Sequence, residues 1–447
     1  MTRKDRRFFS TCIVLALAAG PACSAGAREP GAGRPVRGVI LFIGDGMRIA
    51  TVTAARIHRG FLEGRVPPSS ARLFLDGAPR SALVHTWAKD CMVTDSAAGA
   101  TALATGHKAV NGALSAAAVA DGVIDSLRTL LEIAEAIGLS TGLVTTTTVT
   151  HATPAAFYAH TLDRGKETTI AEALVPGKGN PRLGDGLEVI LGGGRGFWLP
   201  EALPGGRRTD GRNLVSEMKD AGYRVVEDRE SLERSVRDGV GRVVGLFSPS
   251  HMAYEADREA TSPAEPTLAE MTRAAVQILG RNPRGFFLMV EGGRIDHALH
   301  FNYGYRAVTD MLEFDAAVAE ARGLLGDEAF ILATADHDHG MVITGEPAPD
   351  ADVFSPAGKD KNGKPFTALL FATGPSAAKA LPDTLPPDLL RNPEFQERAG
   401  VPLDYEEHGA MDVPLYAFGP ERCFGTLHGS MENTEVFEVL RAAIEDR

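Results

Sequence analysis

Val39-Ile40-Leu41-Phe42-Ile43 runs without a polar residue between Gly38 and Gly44, and Asp45-Gly46-Met47 follows directly. A short apolar run bounded by glycines reads as a strand buried on both faces, as in a parallel sheet. Runs of the same kind recur at 141–144, 189–191, 243–247, 286–290, 330–333, 369–372 and 415–418. Helical patterns lie between them, at 96–104, 127–137, 268–279 and 305–325. This alternation predicts an α/β fold: a large, mostly parallel central sheet flanked by helices on both faces. The stretch 347–404, rich in Pro, Asp and Lys with one strand near 366–373, reads as a surface insertion. Shorter loops of that kind lie at 176–184 and 204–211.

Composition narrows the function classes. Of 447 residues, 44% are hydrophobic and 23% charged, which suits a sizeable core and excludes a disordered, collagen-like or coiled-coil chain. The net charge of -12 argues against an extended nucleic-acid surface. Four cysteines are too few for a disulfide-dense scaffold.

Arg3-Lys4-Asp5-Arg6-Arg7, an apolar stretch over 13–22 and Ala25-Gly26-Ala27 are the three parts of an export signal, residues 1–27. Arg6-Arg7-Phe8-Phe9 resembles a twin-arginine signal. Cys23, after Gly20-Pro21-Ala22, is a weak match to a lipid-attachment site. The apolar stretch is too short to span a bilayer, and no later run reaches about 18 apolar residues. The expected location is therefore periplasmic or extracellular, without a transmembrane segment. Losing residues 1–27 removes four basic residues and one acidic residue, taking the charge from -12 to -15. Cys91 and Cys423 remain, either paired or as thiols; the sequence leaves both open.

Ligands bind beyond the carboxyl ends of strands in open α/β sheets, and polar residues gather there. The strand at 39–43 leads to Asp45, and that at 141–144 to His151-Ala152-Thr153. The strand at 286–290 leads to Glu291, Asp296, His297 and His300, and that at 330–333 to Asp336-His337-Asp338-His339. One Asp after a strand is a turn residue or helix cap; four such endings on one sheet edge predict a shared metal site. Zn²⁺ takes imidazole nitrogens and carboxylate oxygens, and Asp296 and His300 stand four apart on one helical face. Mg²⁺ prefers oxygens, including a threonine hydroxyl. Ligands for more than one ion suggest a clamp on the attacking and leaving oxygens of a phosphoryl transfer.

Ser96, after Thr94-Asp95 and before Ala97-Ala98-Gly99-Ala100, has two readings. It is a helix N-cap, or a metal-activated nucleophile at a helix end that attracts phosphate.

Six motifs resemble the alkaline phosphatase family, in that family's order over about residues 38–437. They are Phe42-Ile43-Gly44-Asp45-Gly46-Met47, Thr94-Asp95-Ser96-Ala97-Ala98, His151-Ala152-Thr153-Pro154-Ala155, Val290-Glu291-Gly292-Gly293-Arg294-Ile295-Asp296-His297, Thr334-Ala335-Asp336-His337 and Glu407-His408-Gly409. The resemblance implies one catalytic domain over 28–447 that hydrolyses small phosphate monoesters through a phosphoserine on Ser96. It implies one zinc on Asp296, His300 and His408, a second zinc on Asp45, Asp336 and His337, and magnesium on Asp45, Thr153 and Glu291. Arg164 falls at the family's phosphate-clamping position, with Asp95 to orient it; His339 would support a zinc carboxylate. Deprotonated ligands would favour neutral to alkaline pH, and homodimers are common in the family.

The chain also departs from the pattern. Arg48 stands where the family usually has glycine, and either contacts phosphate or points to solvent, the second being the favoured reading. His151 and His297 stand where some bacterial members have Asp and Lys and animal members have His, which leaves the third metal open between magnesium and zinc. His58, His85, His107, His160, His251 and His428 read as packing or hydrogen-bonding residues, and Trp87 and Trp198 as core or loop anchors.

Rival readings are distinguishable. Phosphodiesterases of the same metal-site superfamily usually carry a threonine nucleophile and lack the Arg164 context. A sulfatase would need Cys/Ser-x-Pro at residue 96, where Ser96-Ala97-Ala98 stands. A non-catalytic binding protein would not need Ser96 together with every ligand.

Overall fold

The run Gly38–Gly44 lies inside a ten-stranded sheet, and every one of its residues is buried. The computed structural model describes residues 36–119 and 124–446; the export signal proposed at 1–27 lies outside them. Numbered along the chain, the main-sheet strands are β1 (Gly38–Gly44), β2 (Arg80–His85), β3 (Ser140–Thr148), β4 (Val189–Gly193) and β5 (Arg224–Val226). They continue with β6 (Val243–Leu246), β7 (Phe286–Gly292), β8 (Ala329–Thr334), β9 (Val413–Phe418) and β10 (Ser430–Glu432). Their spatial order is β10-β2-β9-β8-β1-β7-β3-β4-β6-β5. Only β9 runs against its neighbours; the other pairings are parallel.

Register brings the strand ends level. Ile43 pairs with Glu291 on β7 and Thr334 on β8, and Thr145 on β3 also pairs with Glu291. The loops that follow Gly44, Gly292 and Thr334 therefore leave the sheet along one edge.

The helices that matter are α1 (Ile49–Leu62), α2 (Ser96–Thr105), α3 (Ala152–Ala155), α4 (Leu268–Leu279), α5 (Arg294–His300), α6 (Gly304–Leu325) and α7 (Asn433–Glu445). α6 packs against α1, α4 and β1, while α7 packs against α2 and β1. α4 spans the expected residues because Thr267 and Glu270 close a capping box at its start, worth about 1 kcal/mol.

Several expectations need correction. The strand at 369–372 is not in the central sheet; Leu369–Gly374 joins Met341–Ile343 and Ala399–Pro402 in a separate three-stranded sheet. The stretch 347–404 carries four strands rather than one, because Pro356–Lys359 and Pro365–Thr367 pair as a hairpin. The helix placed at 127–137 begins only at Leu130, where Thr129 caps it. α1 lacked a start signal, since its N-cap is Arg48, which makes no capping bond. Cys91 is exposed, Cys423 is buried, and no disulfide joins them. Among the described residues no helix is long and apolar enough to cross a membrane.

Candidate active site

α2 starts at Ser96, but its cap is Asp95, whose Oδ1 accepts the Ala98 N–H at 2.9 Å. With the cap supplied by Asp95, the Ser96 hydroxyl is not needed for it. Ser96 is buried, and its Oγ lies 3.3 Å from His337 Nε2. The helix comes this close because of Gly99: a Cβ there would lie 2.5 Å from the Asp336 carbonyl oxygen.

Three imidazoles turn Nε2 to the site. Nδ1 of His300 donates to the Glu406 carbonyl at 2.6 Å, that of His408 to Thr94 at 3.0 Å and that of His337 to Asp338 at 3.1 Å. A carbonyl can only accept, so each ring donates from Nδ1 and turns Nε2 to the site. His300 Nε2 and His408 Nε2 face each other at 3.2 Å, and His337 Nε2 faces Asp45 Oδ1 at 3.1 Å. Imidazole nitrogens and a carboxylate converging at such distances suit a shared cation.

Three groups of potential ligand atoms lie close enough to hold an ion: Asp296, His300, His339 and His408; Asp45, Asp296 and His337; and Asp45, His151 and Glu291. The first contains the expected trio and adds His339, whose Nε2 is 2.9 Å from Asp296 Oδ1. In the second, Asp296 stands where Asp336 was expected. Asp336 Oδ1 accepts the N–H groups of Gly46 and His337 at 3.2 and 3.1 Å. Its Oδ2 is 3.4 Å from Thr153 Oγ1 and 3.6 Å from His337 Nε2.

The electrostatics of these buried carboxylates also call for cations. Both oxygens of Asp45, Oε1 of Glu291 and Nδ1 of His151 have no hydrogen-bond partner. Burial, then Asp336, Asp296 and Glu291, pushes the Asp45 carboxyl well above its usual range. Burial with Asp296 and Glu291 takes Asp336 up to about 7. Burial would raise Asp296 too, but His300, His339 and His408 hold it well below. Burial, reinforced by His408, pushes His337 well down, so its ring is neutral. An unpaired buried charge costs several kcal/mol, and divalent ions at these groups would remove that cost. The nitrogen-rich group fits zinc, and the oxygens of Asp45, Glu291 and Thr153 fit magnesium. Hydroxyls of Thr145 and Thr147 both donate to Glu291 Oε2, leaving Oε1 as its free oxygen.

Arg164 Nη1 donates to Asp95 Oδ2 at 3.0 Å, and Nη2 donates to His151 Nε2 at 3.1 Å. A guanidinium never accepts, so the His151 proton sits on Nδ1. That nitrogen faces Glu291 Oε1 at 3.7 Å and Asp45 Oδ2 at 4.0 Å. At these distances His151 Nδ1 makes no hydrogen bond to either carboxylate. Arg294 Nη1 donates to His297 Nδ1 at 2.7 Å.

His251, read only as a packing or hydrogen-bonding residue, accepts the Thr148 N–H at 3.1 Å and packs 4.4 Å from the His297 ring. Burial lowers it to about 3. The available signal was its position just past the strand at 243–247, on the site's edge of the sheet. Glu406 was missed entirely: buried beside His408 in sequence, it contacts His339 Nδ1. The solvent reading of Arg48 is overturned, because its side chain is 10% exposed and paired with buried Asp338. Elsewhere, His58 pairs with Asp352 at 3.0 Å, and His160 bridges the Ser115 carbonyl and Glu132. Trp198 is fully buried, and Trp87 lies half exposed beneath Lys108.

Comparison with known proteins shows the family. The family model for alkaline phosphatase matches residues 36–445. The tissue-nonspecific alkaline phosphatase isozyme of Felis catus is 35% identical over 446 residues, covering 91% of this chain and 83% of that protein. The crystal structure of Thermus thermophilus alkaline phosphatase superposes with a TM-score of 0.70 at 28% identity, covering 94% of this chain and 93% of that one. A TAB5 alkaline phosphatase mutant with Mg bound shares the fold, with a TM-score of 0.67 at 23% identity and coverage of 92% and 98%.

Proposed function

The chain belongs to the alkaline phosphatase family, and on that premise we propose that it hydrolyses phosphate monoesters through a phosphoserine formed on Ser96. The observation that carries this reading is the Ser96 hydroxyl, 3.3 Å from His337 Nε2 and beside the converging potential ligand atoms. In this reading Asp296, His300 and His408 hold one zinc, Asp45, Asp336 and His337 a second, and Asp45, Thr153 and Glu291 a magnesium. Bound there, divalent ions neutralise the carboxylates and polarise the reacting oxygens.

Ser96 Oγ gives up its proton to the medium and forms a bond to phosphorus as the bond from phosphorus to the substrate alcohol breaks. The alcohol leaves with a proton drawn from the medium. The free N–H groups at the start of α2 stabilise the phosphoryl oxygens. Arg164, held in place by Asp95, turns its guanidinium fork to two of them. Water then attacks phosphorus, releasing inorganic phosphate and restoring the Ser96 hydroxyl. His151 Nε2, which accepts from Arg164 Nη2, helps to hold that guanidinium in place.

Small monoesters are the substrates in this reading, and residues 1–27 act as an export signal to the periplasm or exterior. The test compares wild type with Ser96→Ala on p-nitrophenyl phosphate and on the bis-ester, with and without a chelator. Loss of monoesterase activity in the variant and under chelation is the expected result. Monoesterase activity that survives chelation, or preference for the bis-ester, would overturn the reading.

A further inference from the structure

Arg48 occupies the N-cap of α1 but makes no cap hydrogen bond. Its guanidinium crosses instead to the short strand Asp338–His339, just past the Asp336-His337 pair. Nε stands 3.3 Å from Asp338 Oδ1, Nη1 donates to the His339 carbonyl, and Nη2 meets Met411 Sδ at 3.7 Å. The Asp338 side chain is 1% exposed, and its Oδ2 has no hydrogen-bond partner.

The surroundings of this pair are tightly stacked. Asp338–His339 runs antiparallel to His408–Gly409, with His339 opposite His408 and Asp338 opposite Gly409. A Cβ on Gly409 would lie 1.9 Å from Asp338 Oδ2, and one on Gly46 would lie 2.8 Å from the His339 ring. The Asp45 loop, the strand bearing His339 and the strand bearing His408 are thus three layers in contact. Arg48 ties the first to the second at two points, a carboxylate and a carbonyl.

We propose that Arg48 and Asp338 form a positioning pair that locks the Asp45 loop onto the His339–His408 ladder and thereby slows metal release from Asp296, His300 and His408. The inference rests on the metal centre proposed above. A buried ion pair contributes little net stability over an apolar pair, so its consequence is sought in geometry. Groups behind metal ligands change metal affinity about 10- to 100-fold when removed.

The test follows zinc release from zinc-loaded enzyme into a colorimetric chelator, for wild type, Arg48→Met, Asp338→Asn and the double variant. Calorimetry of each metal-free protein runs alongside. Each single variant should release zinc about 10- to 100-fold faster, and the double variant no faster than the quicker single. Arg48→Lys, which keeps the charge but loses the fork, should fall between wild type and Arg48→Met. If Arg48→Met does not fold, Asp338→Asn carries the comparison. Release within about twofold of wild type in the folded single variants would overturn the inference. So would effects that add in the double variant, or release that merely follows the loss of metal-free stability. Failure of the wild type to take up zinc would instead overturn the metal-centre reading, and this inference with it.

Discussion

Ser96 Oγ lies 3.3 Å from His337 Nε2, where the first turn of α2 meets the loop after β8. Gly99 permits that approach, Asp95 relieves Ser96 of the capping role, and the Asp338 carbonyl fixes the His337 tautomer. Removing the hydroxyl alone should leave all three features intact. Ser96→Ala is therefore expected to keep its metal content by elemental mass spectrometry while kcat on p-nitrophenyl phosphate falls by at least about 10³-fold.

Arg164 and Asp95 should separate into binding and orientation. Arg164→Ala loses charge-assisted contacts with phosphate, each worth roughly 1.5–3 kcal/mol. Inhibition by inorganic phosphate should then weaken at least about tenfold. Asp95→Asn keeps the cap through Oδ1 but loses the acceptor that Oδ2 gives to Arg164 and to the Gly112 N–H, so it should weaken phosphate binding more than it lowers the melting temperature. Equal loss of stability in both variants would count against the assignment.

The buried carboxylates predict a pH dependence confined to the metal-free protein. Asp336 rises from the ordinary 3.8 to about 7, and Asp45 rises as well. A raised carboxyl stabilises the fold fully below its unfolded value and loses that contribution as pH rises through the folded one. In the chelated protein Asp336→Asn should therefore lose less melting temperature than wild type between about pH 5 and about pH 8, the opposite slope of the buried histidines being common to both. Metal should remove most of this difference, which calorimetry at the two pH values would read.

Glu397 offers the same linkage outside the site. Burial lifts it from 4.5 to about 8, and its Oε2 has no hydrogen-bond partner. Wild type should lose up to about 1.4 kcal/mol per pH unit between those values through this group. Glu397→Gln should flatten that part of the profile in urea titrations at several pH values, and an unchanged slope would refute it.

How legible each feature was depends on the range of the interactions behind it. Asp45, Glu291 and Asp336 could be read because each follows an apolar run that can only be a buried strand. Asp296 and His300 could be read because helical spacing alone puts them together. His251 and Glu406 could not, since their places depend on which strand ends lie side by side. Arg48 was misread because burial of a guanidinium depends on its partner, and nothing local ties residue 48 to Asp338. β2 was missed because Arg80–His85 alternates buried and exposed residues near the sheet's edge, unlike the continuous runs of the centre.

The central claim is covalent attachment of phosphate to Ser96, and acid quenching of the working enzyme tests it most directly. Peptide mass spectrometry after quenching with a phosphate monoester should find one phosphoryl group, on the peptide containing Ser96 and on that residue. A phosphoryl group on another side chain, or none while turnover proceeds, would contradict the account.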